Sequence, residues 1–137
     1  GADLDHSNPE VVKDLFDWGT WVVQETGHVG FRFDAIKHID ENFMAKFVAH
    51  IRENSGKDKL FCVGEFWKDR QVHHDTLDSL NAYLDRLGQQ FSVFDTPLHY
   101  NFKEASDLGE NFDLRRIWDG SLVSNRPVDA VTLVDNH

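Results

Sequence analysis

Cysteine, positive charge and long apolar runs are all scarce in this chain. It has one cysteine, Cys62, in 137 residues. No disulfide can form within it, and Cys62, set in an apolar run, reads as a buried core residue. A lone cysteine tilts the compartment toward the cytoplasm without settling it. Positive charge is in deficit: 14 Lys and Arg stand against 24 Asp and Glu, for a net charge of −10. A general nucleic-acid binder would carry a basic patch, so no nucleic-acid partner is expected. The acidity fits a neutral ligand, held cations or solubility alone. No apolar run is long enough for a membrane helix and no secretory leader is seen, so no membrane partner is expected. Nor is there a G-x-G-x-x-G or Walker-type loop, which removes the usual nucleotide function of an open α/β sheet. The chain starts at Gly1 rather than Met and stops at what reads as a strand exit, so it is expected to be a piece of a longer protein.

What is present is a good core. Hydrophobic residues make up 40% and aromatic residues 12%, enough for one folded unit. Asn8 as cap, with Pro9 and Glu10 in the first turn, predicts a helix that ends before Gly27. Trp18 and Trp21 on it read as packing residues. Further helices are predicted over 41–54 and 77–87, with shorter ones over 98–105 and 114–118. Strands are predicted over 29–33, 60–63, 91–94 and 131–134. Acidic residues close all four strands: Asp34, Glu65, Asp95 and Asp135, at intervals of 31, 30 and 40 residues. A βαβ unit takes about 30 residues or more, so the spacing predicts successive units of a parallel sheet. In a barrel of such units, the carboxyl ends of the strands carry the active site. An open doubly wound sheet is the alternative.

Carboxylates at the ends of apolar strands are costly unless paired, hydrogen-bonded or protonated. Residues two apart on a strand share a face, so Arg32 and Asp34 point one way while Phe31 and Phe33 point the other. A guanidinium beside Asp34 favours its ionised form, which suits a nucleophile. A buried pair that only fixes the fold is the competing reading. Glu65 has only Val63, Gly64, Phe66 and Trp67 beside it. Apolar surroundings would favour its protonated form and make it a general acid. One ionised Asp with one protonated Glu is the division of labour for glycoside cleavage with retention. Trp67 is either a sugar-stacking aromatic or a rim residue.

Four strings in order, GFRFDAIKHI, VGEFW, SVFDTPLHYNF and VTLVDNH, with the opening ADLDHSNPEV, resemble the α-amylase family of glycoside hydrolases, in its liquefying, calcium-dependent branch. The resemblance runs along nearly the whole chain. It implies an α/β fold that is part of a (β/α)8 TIM barrel, about strands four to seven, with residues 1–137 a partial catalytic domain. It implies hydrolysis of internal α-1,4-glucosidic bonds of starch or glycogen by a protein monomeric at full length. By the same resemblance Asp34 is the nucleophile, Arg32 its partner and Glu65 the acid/base. Lys37, His38, Trp67 and His137 are substrate-binding. The family's third acid follows that last histidine, where this chain ends. The implied cofactor is Ca2+, with Asp3 and the His38 carbonyl as ligands and Asp5 at an additional metal position. That branch often has a further Asp where this chain has Ser7, so the second metal position is not expected here.

Other residues are read more plainly. His73 and His74 are expected in a solvent-facing loop. Asp95 is expected to cap, and Asp135 and Asn136 to hold a loop. Three rivals stand beside an endo-acting hydrolase. One is an α-glucosidase or transglycosylase on the same scaffold. Another is a non-catalytic barrel relative, which would usually lack Asp34 and Glu65. The last is a metal-dependent barrel enzyme using strand-end acids as ligands.

Overall fold

A computed structural model describes residues 4–68, 76–88 and 90–136. Asp3, His73, His74 and His137 lie outside the described residues. Helix α1 (Pro9–Thr26) starts where Asn8 accepts a hydrogen bond from the Glu10 N–H at 2.9 Å and stops at Gly27, whose φ is 70°. That left-handed C-cap costs glycine little. Strand β1 (Gly30–Phe33) follows, then one 3₁₀ turn over Ile36–His38. Helix α2 (Glu41–Asn54) is capped by Asp40, which accepts from the Phe43 N–H at 2.7 Å. Strand β2 (Phe61–Gly64), helix α3 (Thr76–Leu87), strand β3 (Ser92–Phe94) and helix α4 (Thr96–Leu108) continue the alternation. A four-residue helix α5 (Leu122–Asn125) precedes β4 (Ala130–Val131).

The four strands form one parallel sheet in the order β1-β2-β3-β4. Consecutive parallel neighbours joined by helices are what a βα barrel is built from. One face of the sheet packs on the helices. There Phe31 and Phe33 meet Phe47 of α2 at 6.4 and 6.0 Å between ring centroids. Val23, Ile36, Val48, Ile51, Leu80, Leu84 and Val93 are fully buried in the same core. Cys62 lies there too, 1% exposed, and burial pushes its thiol pKa up, as an inert core residue requires.

Four expectations need correction. Strand β4 is shorter than 131–134 and begins one residue earlier. Its partner β3 turns into α4 after Asp95, whose N–H donates to the Val131 carbonyl at 2.8 Å, so 132–134 find no strand beside them on that side and Val134 stays exposed. Helix α4 is longer than 98–105 because Asp95 caps it and Pro97 sits in its first turn. The segment 114–118 makes only a 3₁₀ turn over Leu114–Arg116, and α5 was not foreseen. Trp18 and Trp21, read as packing residues, are 54% and 56% exposed. Strand β1 is a sheet edge, so α1 has no neighbour on its far flank among the described residues.

Candidate active site at the carboxyl ends of the strands

Register brings the two central acids together. Phe33 pairs with Gly64, so Asp34 and Glu65 leave neighbouring strands at the same level. Arg32 sits one pleat below Asp34 on the face away from the helices. Its Nη1 bonds Asp34 Oδ1, and its Nη2 lies 3.4 Å from Glu65 Oε2. One guanidinium therefore bridges both carboxylates, where the sequence paired it with Asp34 alone. The Phe94 ring lies 5.9 Å from the same guanidinium and limits its swing.

The backbone between the acids is shaped for this contact. Ala35 has φ 47° and ψ 40°, and it is the one non-glycine residue with positive φ among those described. That conformation costs about 1–2 kcal/mol for an L-residue. It aims the Ala35 N–H at Glu65 Oε2, 3.1 Å away. It also lets the next residue, Ile36, donate to the Glu65 carbonyl at 3.0 Å and bury its side chain over β2. Gly64 makes room for it. A Cβ there would stand 2.4 Å from Ile36 Cδ1 and 2.8 Å from Phe91 Cε2. The glycine of VGEFW thus serves the placement of Asp34's loop as much as that of Glu65.

Glu65 is 9% exposed, yet its surroundings are not the apolar ones its strand neighbours implied. Besides Arg32 and the Ala35 N–H, the Asn136 side-chain amide donates to Oε1 at 2.7 Å. Sequence reasoning missed these donors because they come from β1 and from the loop after β4, 71 residues away in the case of Asn136. Beside Glu65 opens a cleft of about 420 Å3 lined by Glu65, Trp67, His99, Asp135 and Asn136. Trp67 is half-buried, its indole N–H donating to the Tyr100 hydroxyl at 3.1 Å, with the His99 ring edge-on at 5.0 Å. The His99 ring nitrogen Nδ1 meets the Val134 carbonyl at 3.0 Å. The string SVFDTPLHYNF was noted only as a motif; its His99 and Tyr100 hold the tryptophan. Lys37 and His38 lie exposed on the 3₁₀ turn next to Asp34.

The metal expectation finds no assembled site. Among the described residues no three His, Cys, Asp or Glu side chains converge as ligands would. Asp5 Oδ1 accepts from both the N–H and the hydroxyl of Ser7, at 2.9 and 2.6 Å. Those bonds hold its carboxyl below the ordinary value. Calcium takes six to eight oxygens, and the exposed His38 carbonyl and Asp5 do not make that set.

A guanidinium bridges an Asp and a Glu at adjacent strand ends beside an aromatic-walled cleft, which places the chain in the class of parallel βα proteins with a polar site at the carboxyl ends of the strands. The match to known proteins narrows this. No family model matches the chain. It is 44% identical over 136 residues to a glucan 1,4-alpha-maltohexaosidase of Bacillus sp. (strain 707), covering 99% of this chain and 25% of that protein. It is 42% identical over 99% of its length to an alpha-amylase of Bacillus licheniformis and 38% identical over 100% to a cytoplasmic alpha-amylase of Escherichia coli (strain K12), covering 25% and 26% of those proteins. The crystal structure of an Anoxybacillus alpha-amylase superposes with a TM-score of 0.70 at 27% identity, over 98% of this chain and 28% of that one. The chain belongs to the α-amylase family, and it spans about a quarter of the length of the relatives it matches.

Proposed function

We propose that the polypeptide carrying this chain hydrolyses internal α-1,4-glucosidic bonds of starch, glycogen and related α-glucans with retention, and that residues 1–137 are part of its catalytic barrel. The observation that carries this is the Arg32 bridge between Asp34 and Glu65, with Glu65 and Trp67 lining the adjoining cleft. Asp34 attacks the anomeric carbon while Glu65 protonates the departing oxygen. Glu65 then takes a proton from water, which releases the sugar from Asp34. Arg32 keeps Asp34 ionised and aimed, since a guanidinium favours the charged carboxylate. Lys37, His38, Trp67 and His137 are assigned to the sugar by resemblance. Calcium, if bound, takes most of its ligands from residues other than those described here, and no chemical step runs through it. The full-length protein is proposed to act as a monomer.

The decisive experiment traps the intermediate. With a 5-fluoroglycosyl fluoride, the full-length protein accumulates a glycosyl adduct on Asp34, seen by mass spectrometry, and Asp34→Asn accumulates none. An adduct in the Asn variant removes Asp34 from its role. A second reading concerns products, because one relative is named for maltohexaose release and others as alpha-amylases. Early digests of soluble starch separate them: mixed oligosaccharides support the endo reading, and a dominant hexamer supports the other.

A further inference from the structure

Asn136 has a contact that loop support does not explain. Its own backbone N–H donates to Asp135 Oδ1 at 2.9 Å, which secures the loop. Its side chain reaches instead past β3 to Glu65 at the end of β2, 2.7 Å from Oε1. The loop is held from behind, where His99 of α4 meets the Val134 carbonyl at 3.0 Å. The opposite oxygen of Glu65 is held by the Ala35 N–H at 3.1 Å. The two carboxyl oxygens therefore have donors from opposite sides, one rooted in β1 and one in the loop after β4. Two fixed donors define both the rotamer and the plane of the carboxyl group.

The geometry points to Asn136 as a positioning residue for Glu65: it holds the acid/base in the plane from which the proton reaches the glycosidic oxygen. This rests on the role proposed for Glu65. An amide suits the task because Glu65 must alternate between protonated and ionised forms. The amide is neutral throughout, and its NH2 can donate to a lone pair of Oε1 in either form, which leaves the acid's proton free for the glycosidic oxygen. A carboxylate at 136 would instead place a second negative group against Glu65. A lysine would add a permanent positive charge. Misplacement of a catalytic group by about 1 Å costs on the order of 100-fold, so a lost donor has a measurable consequence.

The test uses full-length protein and two substrates that differ in their need for an acid. Cleavage of a maltooligosaccharide needs a proton on a poor leaving group. Departure of fluoride from an α-maltosyl fluoride needs far less help. With Asn136→Ala, kcat/KM on the oligosaccharide is expected to fall about 10- to 100-fold, and kcat/KM on the fluoride to change by less than about 3-fold, which is the size of a binding change rather than a lost acid. Asn136→Gln, which keeps the amide, is expected to recover part of the loss. Equal losses on both substrates mean that Asn136 only supports the loop, and the inference is overturned. Unchanged rates on both overturn it as well. Glu65→Gln is the control for the underlying reading. If it keeps oligosaccharide activity, Glu65 is not the acid, and that reading fails whatever Asn136 does.

Discussion

Glu65 and Asp95 occupy the same place in the chain's plan, one residue past a parallel strand, and they have opposite fates. Asp95 is 0% exposed, and both its oxygens are occupied by backbone. Oδ1 accepts from the N–H groups of Leu98 and Leu122, each at 3.0 Å, and Oδ2 accepts from Val123 at 2.8 Å. It caps α4 and α5 together, so one carboxylate joins two helix N-termini where orphan N–H groups and the helix dipole favour negative charge. Glu65 draws one donor from backbone and the rest from side chains, and it borders a cleft. An acid at a strand end becomes a cap when helix N-termini converge on it. It becomes available for chemistry when its holders leave one side open.

Variants sharpen this contrast. Glu65→Gln is expected to lower glucan hydrolysis about 100- to 10,000-fold while leaving the melting temperature near that of the parent. A large drop in melting temperature would make Glu65 a second Asp95. Asp95→Ala is expected to do the reverse. Two buried N–H groups and one part-buried one lose their acceptor, at roughly 1–3 kcal/mol for each buried group left unsatisfied, so a denaturant midpoint should fall by the equivalent of about 2 kcal/mol or more. Intact stability in that variant would break the comparison from the other side.

Gly64→Ala lies between the two. Its new Cβ meets Ile36 and Phe91, and overpacking of this kind costs about 1–3 kcal/mol. Because Ile36 belongs to the turn after Asp34, kcat on glucan should fall along with stability. Preserved kcat would show that the turn moves independently of the acids. The smallest effect is expected at Ser7→Ala. Ser7 depresses the Asp5 pKa in the folded protein, so its contribution is present above the ordinary value of 3.8 and is lost as pH falls through the lower folded value. Melting curves of parent and variant should differ slightly near neutrality and converge in strong acid. Divergence on acidification would reverse the assignment.

Much of this was legible in the residues. Asn8, Pro9 and Gly27 bound α1, and the apolar period of Phe43, Phe47, Val48 and Ile51 carried α2 to its observed limits, because caps and amphipathic faces are local properties. Asp95 was readable as a cap from the ThrPro that follows it. The second helix it caps was not, since α5 is one short turn stabilised by a residue 27 positions upstream. The end of β4 was misjudged for a related reason: a strand stops where its partner turns away, and that partner is chosen by the fold. The exposed tryptophans of α1 make the same point, because their periodicity marks a packing face without saying what lies opposite.

The sequence by itself determined the alternation of strand and helix, the acidic exits Asp34, Glu65 and Asp95 of the first three strands and the pairing of Arg32 with Asp34, all set by spacings of a few residues. Only the tertiary structure decided that Arg32 also reaches Glu65, that Ala35 adopts a left-handed turn to hold it, and that Asn136 closes the other side. Those contacts join groups 33, 30 and 71 residues apart in the chain. Parallel strand register places them within hydrogen-bond reach, and no local pattern encodes that register.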